Sequence, residues 1–112
     1  MTEPTPATER FEAAREGLAT QHFTLRLCVV GATPSAHRAI SNTRDICERH
    51  LAGRHTLEVV DVRQQPDLIV GNQMIVAPTL FRLEPLPVAR VIGDMSDHEK
   101  VLDALSIWRP RD

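Results

Sequence analysis

The chain has 112 residues, 42% hydrophobic and 25% charged, with 13 basic and 15 acidic side chains for a net charge of −2. This is the length of one domain whose core suffices without disulfides or metal, and the charge argues against a nucleic-acid role, which needs a basic surplus or stripe. No apolar run approaches the ~18 residues that span a bilayer, and the N-terminus lacks the apolar segment of a secretory leader, so a cytoplasmic protein with no nucleic-acid or membrane partner is expected.

Residues 1–22 read as an N-terminal extension. Pro4 and Pro6 favour extended chain, and Thr8 can cap a short helix with Phe11, Ala14 and Leu18 on one face. A single domain is expected over residues 23–109. Thr24–Val30 is apolar and β-rich and reads as a strand. Gly31 breaks it, Thr33 is a good N-cap, and Pro34 fits the first helical position, where its missing N–H costs nothing. Ala36, Ala39, Ile40, Thr43, Ile46, Cys47 and Leu51 follow at helical spacing, and Gly53 ends the helix. Thr56–Val62 is a second strand, parallel to the first because a helix joins them. Pro66 opens a short second helix ended by Gly71 and Asn72.

A third strand begins after Pro78, where a cis Ala77–Pro78 bond would cost only about 0.5–1 kcal/mol. Glu84-Pro85-Leu86-Pro87 is a turn, and Val88–Ile92 is a fourth, antiparallel strand. Gly93-Asp94-Met95 turns the chain. Ser96 and Glu99 have the spacing of a capping box, and Val101, Leu102, Leu105 and Trp108 form one helical stripe. The order β-α-β-α-β-β-α is the minimal thioredoxin-like arrangement.

Thioredoxin-like redox chemistry needs a cysteine at the start of the first long helix. Gly31-Ala32-Thr33-Pro34-Ser35 supplies none. Cys28 lies in the strand and Cys47 late in the helix, so both read as structural thiols. Thr33 and Ser35 could serve a transferase, but capping explains such hydroxyls better. His22, His37, His50, His55 and His98 show no metal-ligand spacing. Asp94, Asp97, Glu99 and Asp103 read as a charged first helical turn, with an acidic docking face as the alternative. Neither catalytic residue, cofactor nor metal is expected.

The segments LRLCVVGATPSAHRAI, LEVVDVRQQPDL, VAPTL and LPVARVIGDMSDHEKVL closely resemble the KaiB family of circadian-clock proteins, in register from Leu25 to Leu105. The resemblance implies a non-enzymatic protein that binds KaiC, a hexameric ATPase, with a KaiA-like protein or a kinase as further candidate partners. It also implies two attainable folds: a tetrameric ground state ordered β-α-β-β-α-α-β, and a monomeric thioredoxin-like state that binds the ATPase. The KaiB-like sensor domain of the SasA kinase keeps the second form, so a non-switching adaptor is an alternative reading, with a thioredoxin-fold redox enzyme or transferase a third.

The residues expected to set the fold are Gly31, Pro34, Pro78, Gly93, Ser96, Glu99, Ala104 and Ser106. Family members often carry Gly and Asp at the last two positions, and Ala in place of Gly favours a helix by about 1 kcal/mol. The thioredoxin-like state is therefore expected to dominate. The expected partner contacts are Thr56, Glu58, Asp61, Gln65, Asp67 and Gln73, with Arg38 and Arg90 as further candidates. At Glu58 and Gln73 clock members commonly show lysine, and that difference alters electrostatic steering toward a partner.

Overall fold

The computed structural model describes residues 21–68 and 75–107. Strand β1 (Phe23–Val29) is followed by helix α1 (Pro34–His50), strand β2 (His55–Asp61), a 3-10 turn (Pro66–Leu68), strands β3 (Thr79–Glu84) and β4 (Ala89–Ile92), and helix α2 (His98–Ala104). One sheet orders the strands β2-β1-β3-β4. β1 and β2 are parallel, whereas β3 runs antiparallel to both β1 and β4. This mixed α/β sheet with two helices is consistent with a thioredoxin-like topology.

Local chemistry explains the elements. Thr33 accepts the Ala36 N–H at 3.0 Å and Pro34 occupies the first turn, so α1 starts where a capped proline start is favoured. Its end is closed by the Leu51 N–H on the Cys47 carbonyl at 2.8 Å, and Gly53 takes φ +72° beyond it. Phe23, Leu25, Leu27 and Val29 of β1 pack with Ala36, Ala39 and Ile46 of α1, with Leu80 and Val91 of the sheet, and with Val101, Leu102 and Leu105 near the C-terminus. Cys28, Val60, Val62 and Phe81 form a smaller cluster on the other face, with Val30, Ile75 and Leu83 against it.

Three expectations shift. The cap of α2 is Asp97, whose Oδ1 accepts the Lys100 N–H at 3.1 Å, so the helix starts one step after the Ser96–Glu99 box. Ser96 is drawn away because its own N–H donates to Asp94 Oδ1 at 3.1 Å. The cis bonds are Glu84–Pro85 and Leu86–Pro87, and Ala77–Pro78 is not one; Pro78 is held instead by its carbonyl, which accepts the Gly93 N–H at 2.8 Å. After β2, Pro66 opens a 3-10 turn; Gly71, Asn72 and Gln73 lie outside the described residues, as do the Thr8–Leu18 segment and Trp108.

The C-terminal half ends on a defined stop. Ser106 adopts φ +54°, its N–H donates to the Asp103 carbonyl at 3.2 Å, and the Ile107 N–H reaches back to the Leu102 carbonyl at 2.9 Å. This pair of bonds is a Schellman motif with serine in the left-handed position. Leu102 and Ile107 are both buried, supplying the apolar contact that accompanies such a stop.

Candidate functional site

Among the described residues β2 is an edge strand, so one side of its backbone ladder pairs with no other described strand. Thr56 and Glu58 project from it, both exposed. His22 Nε2 lies 2.9 Å from Thr56 Oγ1, and Arg26 NH2 is 3.3 Å from Glu58 Oε2. Glu58 therefore offers its carboxylate already paired with a cation on the neighbouring strand. Gln65 and Asp67 continue the exposed surface past the end of β2. Thr56, Glu58, Gln65 and Asp67 thus lie along one edge and the loop that follows it.

Asp61 belongs to the same stretch but has another task. Its Oδ1 accepts the Arg63 N–H at 3.0 Å and the Gly31 N–H at 3.2 Å. These backbone donors hold its carboxyl below the usual range. Asp61 thereby ties the β1–α1 turn to the end of β2, where a thioredoxin-like enzyme would carry its nucleophile. Gly31 takes φ +69° there, and the Arg63 guanidinium lies 2.8 Å from where a Cβ would stand.

Arg90 and Arg38 are separated from this edge. The register aligns Glu58 with Arg26, Arg26 with Phe81, and Phe81 with Arg90. Arg90 therefore shares the sheet face of Glu58 but stands at the opposite edge. Arg38 is on α1, where its Nε donates to Asp94 Oδ2 at 3.1 Å. Asn42 Nδ2 donates to the Asp94 carbonyl at 2.9 Å, so two α1 side chains pin the β4–α2 turn. The Ser96 hydroxyl and N–H, together with Arg38, hold the Asp94 carboxyl below the ordinary carboxylate range. Gln73 lies outside the described residues.

The chemistry of the thiols and hydroxyls is equally definite. Cys28 and Cys47 are free and buried. Burial pushes the Cys47 thiol up to about 11 and raises that of Cys28 against the pull of Arg26. Neither is prepared as a thiolate near neutral pH. The Thr33 oxygen is used as a helix cap. Among the described residues no three His, Cys, Asp or Glu side chains gather as a metal site, and no helix is long and apolar enough to cross a membrane.

Sequence reasoning missed Arg26, Asp94 and Arg82 as structural charges. Arg26 alternates with apolar residues on its strand and reads as a solvated position. Asp94 reads as a turn former, and nothing local reveals that α1 will reach it. Arg82 sits on β3 between Phe81 and Leu83, yet it is buried.

A family model described as the KaiB domain matches residues 26–107. The circadian clock oscillator protein KaiB of Prochlorococcus marinus (strain MIT 9312) is 42% identical over 89 residues, covering 80% of this chain and 85% of that protein. The protein of the same name from Synechococcus sp. (strain RCC307) is 41% identical over 85 residues, covering 76% of this chain and 77% of its own length. That of Synechococcus sp. (strain ATCC 27144 / PCC 6301 / SAUG 1402/1) is also 41% identical, covering 76% and 83%.

Proposed function

This chain belongs to the KaiB family as a non-enzymatic member, and we propose on that premise that it is a regulatory protein that binds a KaiC-like hexameric ATPase in its thioredoxin-like arrangement. The observation that carries the reading is the edge position of β2 among the described strands, with Thr56 and Glu58 exposed on it and Gln65 and Asp67 exposed in the segment that follows. An open strand edge supplies directional backbone hydrogen bonds, and alternate exposed side chains supply specificity. Asp61 supports this surface by holding the turn, and Gln73, outside the described residues, stays in the proposed contact set on the resemblance alone. Arg90 and Arg38 contribute charge at a distance from it, as modulators of steering rather than contacts. The chain acts as a monomer in this arrangement.

A second reading, the adaptor that binds without changing fold, is favoured by the end of α2. Ala104 closes the helix, Ser106 adopts the left-handed position, and Ile107 is buried behind it. The helix propensity of Ala104 and the burial of Ile107 stabilise residues 98–107 as a helix and its stop, while Ser106 accepts the left-handed strain that the stop requires.

Size-exclusion chromatography of the full chain, alone and with a purified KaiC-like hexameric ATPase and ATP, tests the proposal. Co-elution with the hexamer is expected. Free migration of the chain at saturating ATPase, with a well-folded circular-dichroism spectrum, contradicts it.

A further inference from the structure

Arg82 is a charged side chain in the core. It is 6% exposed, and its strand neighbours Leu80 and Phe81 are buried with it. It pairs in register with Leu25 of β1 and Ala89 of β4, on the sheet face that carries the main core. None of the ion pairs among the described residues includes it. Its NH1 donates to the Leu105 carbonyl at the end of α2, and its NH2 donates to the Pro87 carbonyl at 2.6 Å in the β3–β4 loop. Among the described residues its Nε has no hydrogen-bond partner.

A buried cation without a carboxylate is costly unless other groups replace its hydration. Two carbonyls do so here, and one belongs to the C-terminus of a helix, where the aligned peptide dipoles place partial negative charge. The guanidinium fork suits this task, since two of its nitrogens reach two separate acceptors at once. The two acceptors are far apart in sequence, one before β4 and one after α2. Both must be in place together for Arg82 to remain buried and satisfied.

We propose that Arg82 is a positioning residue, a buried cationic lock that joins the C-terminus of α2 to the β3–β4 loop so that the two segments open as one unit. Losing either carbonyl leaves a buried charge half satisfied, which drives release of the other. The lock bears on the ATPase-binding reading only through the arrangement of residues 98–107, and it is tested without any partner.

The test is amide hydrogen exchange on the full chain for the wild type, Arg82→Lys and Arg82→Met, read by segment. In Arg82→Met, exchange of residues 98–107 and of residues 84–90 is expected to accelerate together by about tenfold or more, as cooperative local units do, while peptides from β1, α1 and β2 keep their protection. Arg82→Lys, which keeps the charge but loses the fork, shows the same pair accelerated to a smaller extent. Adding Ser106→Gly to Arg82→Met restores part of the protection of both segments, because it strengthens the helix stop independently. Acceleration confined to one of the two segments, a uniform change along the chain, or no change overturns the lock. Should Arg82→Met fail to fold, Arg82→Lys alone decides between the paired and the uniform pattern. Failure of the wild-type chain to bind the ATPase would count against the binding surface and leave the lock, which is read from exchange alone, standing.

Discussion

Gly31 takes φ +69° at the turn into α1, with the Arg63 guanidinium over the place of a Cβ. Arg63 is exposed and flexible, so it can move aside, whereas the left-handed backbone cannot be relieved. Gly31→Ala is therefore expected to cost about 1–2 kcal/mol in urea unfolding, and the loss persists when Arg63→Ala is added. Recovery in the double variant would assign the glycine to the close approach of Arg63 instead. Asp94 carries the other strongly used charge. Its folded carboxyl titrates below its unfolded value, so it favours the folded state above the ordinary carboxylate value of about 3.9. That contribution is lost as pH falls through the lower folded value. Acid unfolding of Asp94→Asn should show a shallower dependence between pH 5 and the acid limit than the wild type, at about the same ionic strength. An unchanged slope would mean that the Ser96 and Arg38 contacts do not discriminate the two protonation states.

Helix α2 is short, and its two ends carry most of what defines it. Asp97 opens it and the Ser106–Ile107 reversal closes it. Serine at φ +54° is strained, and glycine is not. Ser106→Gly is expected to raise stability by up to about 1 kcal/mol, and Ser106→Val to lower it by about 1–2 kcal/mol, because β-branched side chains fit the left-handed region worst. Thermal unfolding of the two variants checks both signs together, and equal effects would place Ser106 outside a left-handed stop. At this scale the sequence was informative where one local rule acts alone. Thr33 and Pro34 mark the start of α1 because cap and proline point the same way. Val101, Leu102 and Leu105 mark a buried stripe, and all three are buried, with Asp103 exposed. The start of α2 slipped because Ser96 and Asp97 are both good caps, and only the tertiary claim of Asp94 on the Ser96 N–H separates them.

The molecule as a whole brings a parallel β1–β2 half and an antiparallel β3–β4 half into one sheet, with β2 and β4 at its edges. The mixed sheet was legible from element order because a helix between two strands makes them parallel and a tight turn makes them antiparallel. The candidate surface was legible in part. Thr56, Glu58, Gln65 and Asp67 were expected as contacts from the resemblance, and all four are exposed. Arg38 and Arg90 could not be sorted, since their positions relative to β2 depend on register and helix packing. Arg82 was illegible because a charged residue in a strand reads as solvent-facing until the distant Leu105 and Pro87 carbonyls are known. The central claim is that this KaiB-family chain rests in the thioredoxin-like arrangement that the proposed ATPase binding uses. Backbone NMR of the free full chain tests it most directly, through the secondary chemical shifts of residues 98–107. The account predicts helical shifts over His98–Ala104, a left-handed signature at Ser106, and antiparallel contacts between β3 and β4. Strand shifts across residues 101–107 would contradict it.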